Sequence, residues 1–339
     1  MQKLNMTIRQ NIIRNFPVTL EYIDIAENKF GPDVYTLNER TTRQRKKVVV
    51  DYFIEIPREL IENNQEFILC MEIIFINQKA LFTTIYKDIR FLGLVTISNI
   101  TKEGCNRDLN VVIRYYNKAG FSVKRIECDG KFKQIMDEGS DDMGIEKNDA
   151  NPDNHFHEAE RNNIVIKERF RIAYYRFPYK KTPQIMIRHL AMNLRLNYNF
   201  FPAKGGVSDN YIPKIILSQM YLDYNKHFQV EFGAYVQVPQ VDDPKNTNFL
   251  RTLDGIYLCP PPNFQGGYQI MDLRMGQLIT GSKLVKITIT YVVINAVKQM
   301  AEDQGFKSLK IYNRKYIIKK RKKLFSLMSI WQEWTTNNK

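Results

Sequence analysis

Two textures of apolar and polar positions follow one another along this chain. From Glu66 to Ile76 the run EFILCMEIIFI is almost continuously apolar and rich in residues that favour strands, with one acid, Glu72, near its middle. ALFTTIY (80–86) and LGLVTISNI (92–100) follow at hairpin spacing, so three consecutive strands are expected. The period then changes. In CNRDLNVVIRYYNKAG (105–120), Leu109, Val112, Ile113 and Tyr116 form a helical stripe that stops at Gly120. FSVKRIECDG (121–130) returns to a strand, with Asp129 at its carboxyl end and Gly130 in the turn. The acidic stretch 137–153 carries Gly139, Gly144 and Pro152 and reads as loop. Good helix formers dominate from His157, and no Pro intervenes before Pro178, which predicts a helix over 157–176. A second long helix is expected over 182–201, closed by Pro202, Gly205 and Gly206.

The flanks are shorter-grained. TLEYIDIAENKFG (19–31) reads as an amphipathic helix with a glycine stop, TTRQRKK (41–47) as a basic connector and VVVDYFIEI (48–56) as a strand. YIPKIILSQMYLDYN (211–225) reads as helix then turn. Short strands with Pro and Gly turns fill 226–290, and INAVKQMAEDQG (294–305) reads as a helix. The expected organisation is a leading segment over 1–62, an α/β domain over 63–205, a β-rich module over 206–305 and a tail over 306–339.

Composition sharpens this picture. At 339 residues, with 44% hydrophobic and 12% aromatic residues, the chain is long enough and apolar enough to fold around a sizeable core. The net charge of +14 points to a polyanionic partner, nucleic acid first and anionic membrane second. Ten Lys/Arg against the single acid Glu333 fall in residues 306–339, so the excess is concentrated in the tail. Cys70, Cys105, Cys128 and Cys259 lie far apart, and the histidines do not pair with them at zinc-ligand spacing, so reduced thiols of an intracellular protein are expected. No apolar run reaches the length of a membrane span, and the start lacks the apolar core of a signal peptide.

The candidate chemistry lies in three acids. Strand, strand, strand, helix, strand, loop, helix, helix, with acids at 72, 129 and 160, is the pattern of a ribonuclease-H-like mixed five-stranded sheet flanked by helices. Glu72 and Asp129 are 57 positions apart, and Asp129 and Glu160 are 31 apart. In such a fold a central strand, the end of the fourth strand and the following helix converge, and three carboxylates there hold two divalent ions about 4 Å apart for in-line attack on a phosphodiester. A site of oxygen donors without Cys or His suits Mg²⁺, with Mn²⁺ as substitute. On the 157–176 helix, Glu160, Ile164, Lys167 and Arg171 fall at i, i+4, i+7 and i+11, one face, with Lys167 and Arg171 placed to meet phosphate. The bland alternative is a solvated charged helix.

Seven stretches carry a resemblance. NIIRNFPVTLEYIDIAENKFGP (11–32), LCMEIIFIN (69–77), CDGKF (128–132), HEAERNNIVIKERFR (157–171), LNYNFFPAKGGVS (196–208), LDYNKHFQVEFGAYVQV (222–238) and GGYQIMDLRMGQLI (266–279) resemble, in order, the integrase region of copia-type retrotransposon polyproteins. The resemblance spans most of 10–315. It implies a pre-integrase segment over 1–62, a catalytic core over 63–205, and Glu72, Asp129 and Glu160 as metal-binding catalytic acids for DNA 3′-end processing and strand transfer. It implies two Mg²⁺ or Mn²⁺ ions, retroelement ends and target DNA as partners, a homo-oligomer, and the nucleus as compartment. This chain departs from the family at Glu72, where the family has aspartate, and at Lys131, which replaces an acid two residues beyond Asp129. No HHCC zinc module is visible. Set against that resemblance, these departures imply a degraded or co-opted copy.

Rival assignments are Glu158 for the third acid and Asp51 for the first. His155 and His157, at a loop–helix junction, read as capping or exposed, and Tyr174, Tyr175 and Tyr179 as core. Lys319, Lys320, Arg321, Lys322 and Lys323 form a basic run suited to nuclear import or phosphate binding. The LFSLMSIWQEW that follows would also suit a basic amphipathic helix on a membrane. Three functions compete: a metal-dependent DNA strand-transfer enzyme, a nucleic-acid-binding relic with the same fold, and a basic adaptor that acts through its tail.

Overall fold

A computed structural model of the chain describes residues 17–34, 53–76, 79–97, 101–129, 144–150, 157–239, 250–261, 266–305 and 311–312. The side chains of Lys102, Asp129, Asp149, Ala150, Glu158, Asn225, Lys226, Ile311 and Tyr312 also lie outside the description. In chain order the elements are α1 (Leu20–Phe30), α2 (Arg58–Glu62), β1 (Glu66–Ile76), β2 (Lys79–Tyr86), β3 (Phe91–Thr96), α3 (Lys102–Lys118), β4 (Ser122–Asp129), β5 (Glu146–Ala150), α4 (His157–Arg176), α5 (Gln184–Asn199) and α6 (Pro213–Ser218). They continue with α7 (Tyr224–His227), β6 (Tyr235–Pro239), β7 (Thr252–Cys259), β8 (Tyr268–Asp272), β9 (Leu278–Gly281), β10 (Val285–Lys286), α8 (Tyr291–Asp303) and β11 (Ile311–Tyr312). The chain divides into two compact units: Val50–Tyr224 with Met300–Lys339, and Met1–Val49 with Asn225–Gln299.

The first unit is built on a mixed sheet ordered β3-β2-β1-β4-β5. β1, β2 and β3 form an antiparallel meander, β4 runs parallel to β1, β5 runs parallel to β4, and β11 adds an antiparallel pair at Phe75 and Ile76. Burial on both faces explains why β1 reads as an unbroken apolar run rather than an alternating one. Phe67, Leu69, Met71, Ile73 and Phe75 share one core with Leu109, Val112, Ile113 and Tyr116 of α3. The alternate residue Cys70 packs with Ile85 and Ala159, the latter on α4. Phe67 stacks on Tyr86 with ring centroids 3.8 Å apart, Tyr116 closes on both, and the Tyr86 hydroxyl donates to the Asn64 carbonyl.

An amide side chain tethers the edge strand β3. Asn199, the last residue of α5, accepts from the Leu92 N–H through Oδ1 and donates to the Leu92 carbonyl through Nδ2, both at 2.9 Å. This copies what a neighbouring strand would do and fixes the end of α5 against the sheet.

The second unit contains an antiparallel five-stranded sheet ordered β10-β6-β7-β8-β9. Its core is Ala234, Val236, Val238, Tyr257 and Ile270. Gly255 permits the close pairing, since a Cβ there would lie 2.3 Å from Ile270 Cγ2. A buried polar chain runs between β6 and β7: Thr252 Oγ1 donates to Gln237 Oε1, while Gln237 Nε2 and the Tyr235 hydroxyl donate to Asp254 Oδ1. α1 is capped by the Thr19 hydroxyl, stops at Gly31 (φ 74°) and buries Ile23.

Three expectations are corrected. The acidic stretch 137–153 is not wholly loop, because β5 lies within it and pairs with β4 from Arg125↔Glu146 to Asp129↔Ala150. Backbone ladder bonds hold this edge strand in place of apolar side chains. Of the strand expected over 48–56, residues 53–56 are described and contain only an isolated bridge from Phe53 to Met220. Tyr175 is exposed, whereas Tyr179 is fully buried and Tyr174 partly so.

Candidate active site

Glu72 lies on the central strand, on the face turned to α4. The alternate β1 positions Leu69, Met71 and Ile73 belong to the α3 side, and Cys70 belongs with Ala159, so the pleat carries Glu72 toward the helix. Its side chain is half-buried. The side-chain amide of Asn163, itself 2% exposed, donates to Glu72 Oε2. Thr83 on β2, the register partner of Glu72, completes the cluster: its Oγ1 lies 2.9 Å from both the Glu72 carbonyl oxygen and Asn163 Oδ1. Its single proton serves one of these at a time.

Lys167, one turn beyond Asn163, is half-buried at the same place. Burial holds its ammonium below the usual lysine range, the Glu72 and Glu160 carboxylates pull it back up, and the Arg171 guanidinium adds to the depression. Glu160 and Arg171 are exposed at the margin. The structure therefore brings Glu72, Glu160 and Lys167 into one electrostatic group.

Asp129 is the last residue of β4. Met71↔Cys128 is the last registered pair between β1 and β4, so Glu72 and Asp129 are the next positions on two parallel neighbours. Adjacent strands run about 4.8 Å apart, which brings their backbones together. The carboxylate of Asp129, all of Asp51, Lys131 and His155, the side chain of Glu158, and Lys319, Lys320, Arg321, Lys322 and Lys323 lie outside the described residues. His157 is exposed.

The face read from spacing borders the seam that packs. α4 buries Ala159, Asn163, Ile166 and Phe170, whereas Ile164 is 56% exposed. Glu160 and Lys167, grouped on one face by their spacing, flank this seam. Asn163 was missed by reasoning from charges. Its signal was Asn162-Asn163 in mid-helix, two poor helix formers that burial tolerates only with partners.

As to a metal, the described donors here are carboxylate oxygens with no thiol or imidazole among them, which suits a hard cation. Among the described residues no group of three His, Cys, Asp or Glu is placed to hold one, and the two carboxylates already face an ammonium. All four cysteines are buried free thiols. No described helix is long and apolar enough to cross a membrane. The sequence matches no protein-family model and no curated protein.

Proposed function

We propose that the first unit is a ribonuclease-H-like core of the integrase kind, acting on DNA phosphodiesters through Glu72, Asp129 and Glu160. The observation that supports this reading best is the register of β1 and β4. It puts positions 72 and 129 side by side on parallel strands, under the helix that carries Glu160 and Lys167. The strand order β3-β2-β1-β4-β5, with an antiparallel meander followed by two parallel strands, agrees with it. Divalent ions held by the three carboxylates would activate the attacking hydroxyl and offset charge on the phosphate. Asn163 orients the Glu72 carboxylate through its amide, and Lys167 and Arg171 offer cations to the phosphate backbone. DNA is then the partner and the nucleus the compartment.

A second reading, a nucleic-acid-binding relic, is favoured by the partners of Glu72. A carboxylate held by a buried amide and offset by an internal ammonium needs no ion. Glutamate in place of aspartate also reaches about 1 Å further, enough to cost roughly 100-fold in a site that depends on near-attack geometry. Metal-dependent nicking and strand transfer on a labelled DNA end separates the readings. The unmodified chain is expected to be weak, and Glu72→Asp with Lys131→Glu to gain about 100-fold, in Mn²⁺ before Mg²⁺. Salt-dependent DNA binding with no nicking in either protein leaves the relic reading, and loss of DNA binding altogether removes both.

A further inference from the structure

The opposite flank of α4 opens onto a cavity of about 580 Å³, within the range of built small-molecule sites. Arg90, Arg161, Arg169 and Lys204 line it, and none of the described lining residues is acidic. Arg161 and Arg169 are eight residues apart on one helix, about 12 Å along its axis, so the cationic lining is longer than a single phosphate. Three features build this wall. Arg90 holds a left-handed backbone (φ 61°) at the end of the β2–β3 turn, and Asn199 anchors the end of α5, from which the 200–205 loop departs. Gly205 (φ 72°) then turns that loop so that Lys204 meets the cavity.

The other lining groups suit a flat, partly polar ring. Phe201 is 59% exposed at the rim, and Tyr198 lies beneath the Arg169 guanidinium, 5.1 Å from Cζ to the ring centroid. Asn162 sits in the wall with 5% exposure, and its Oδ1 is buried without a hydrogen-bond partner.

We propose that this groove binds a segment of single-stranded nucleic acid, its phosphates on Arg161, Arg169, Arg90 and Lys204 and one unstacked base on Phe201. Aromatic stacking with a cationic track is how single strands are held without sequence preference. The proposal shares with the function above the premise that the partner is a nucleic acid. It uses no residue of the Glu72 site.

The test is binding of a short fluorescein-labelled oligo(dT) to the full chain in EDTA, by anisotropy over a range of salt, with a duplex of equal length in parallel. Phe201→Ala is expected to weaken the single strand about tenfold and the duplex little. Arg161→Glu with Lys204→Glu, both at exposed positions, should lower the salt slope for the single strand by about 1.4, the value for two phosphates that are no longer neutralised. Crosslinking with bromouracil in the oligonucleotide should place adducts on 196–208, a readout independent of any variant's folding. Unchanged affinity and slope in these variants, or adducts confined to the tail, overturn the groove and leave the Glu72 reading standing. No binding of either nucleic acid by the unmodified chain overturns both, and selective binding of an acidic peptide in competition with oligo(dT) assigns the groove to a protein partner and overturns the proposal.

Discussion

The two flanks of α4 make an instructive contrast. On one, the charges answer each other: Glu72 and Glu160 face Lys167, and Asn163 supplies the hydrogen bond that the Glu72 carboxylate needs. On the other, four cations line a cavity without a lining acid, and the Asn162 acceptor has no partner. Asn162 and Asn163 are adjacent, both buried and chemically identical, yet one is satisfied from within and the other is not. Compensation inside the protein makes a site that is stable as it stands and must be remodelled to act. The other flank presents cations along a cavity whose described lining carries no acid.

The strongest way to break this contrast is to remove each amide. Asn163→Leu strips the Glu72 carboxylate of its amide donor in a low-dielectric setting and is expected to destabilise the protein by about 3 kcal/mol, read by urea denaturation. Asn162→Leu removes an acceptor already unpaired, so a change within about 1 kcal/mol of zero, of either sign, is expected. Equal losses from the two variants would show that the distinction is wrong. Next in size is Asn199→Ala. It leaves the Leu92 N–H and carbonyl without their side-chain partner and should cost about 2 kcal/mol while weakening oligo(dT) binding, because the groove loop hangs from this tether.

The smallest effect concerns pH. Burial, with Arg188 adding to it, holds the His189 imidazole below its usual value, despite a 2.8 Å contact between Nδ1 and the Ile185 carbonyl. The unfolded chain therefore binds this proton more readily than the folded one. Its contribution to stability is complete above about pH 6.5 and is lost as pH falls from there toward the depressed folded value. His189→Gln should flatten the fall in Tm between pH 7 and pH 5. An unchanged slope would place the acid sensitivity elsewhere.

Much of the architecture was legible in the order of residues. The apolar run 66–76 is β1, and the Pro-free stretch 157–176 is α4, because a strand buried on both faces and a long helix are the two patterns whose side chains announce them. The positions of Glu72 and Glu160 followed from those elements. β5 was not legible, since a polar edge strand is held by backbone bonds to β4 and exposes Glu146 and Asn148. Nor was the packing face of α4. Spacing grouped Glu160, Ile164, Lys167 and Arg171, but which side of a helix is buried depends on what faces it, and here Thr83 and Glu72 draw in Asn163. The grouping of residues 1–49 with 225–299, and of Arg90 with Arg161 and Lys204 around one cavity, joins positions far apart in the chain. Local periodicity carries no information at that range, so only the folded chain decided them.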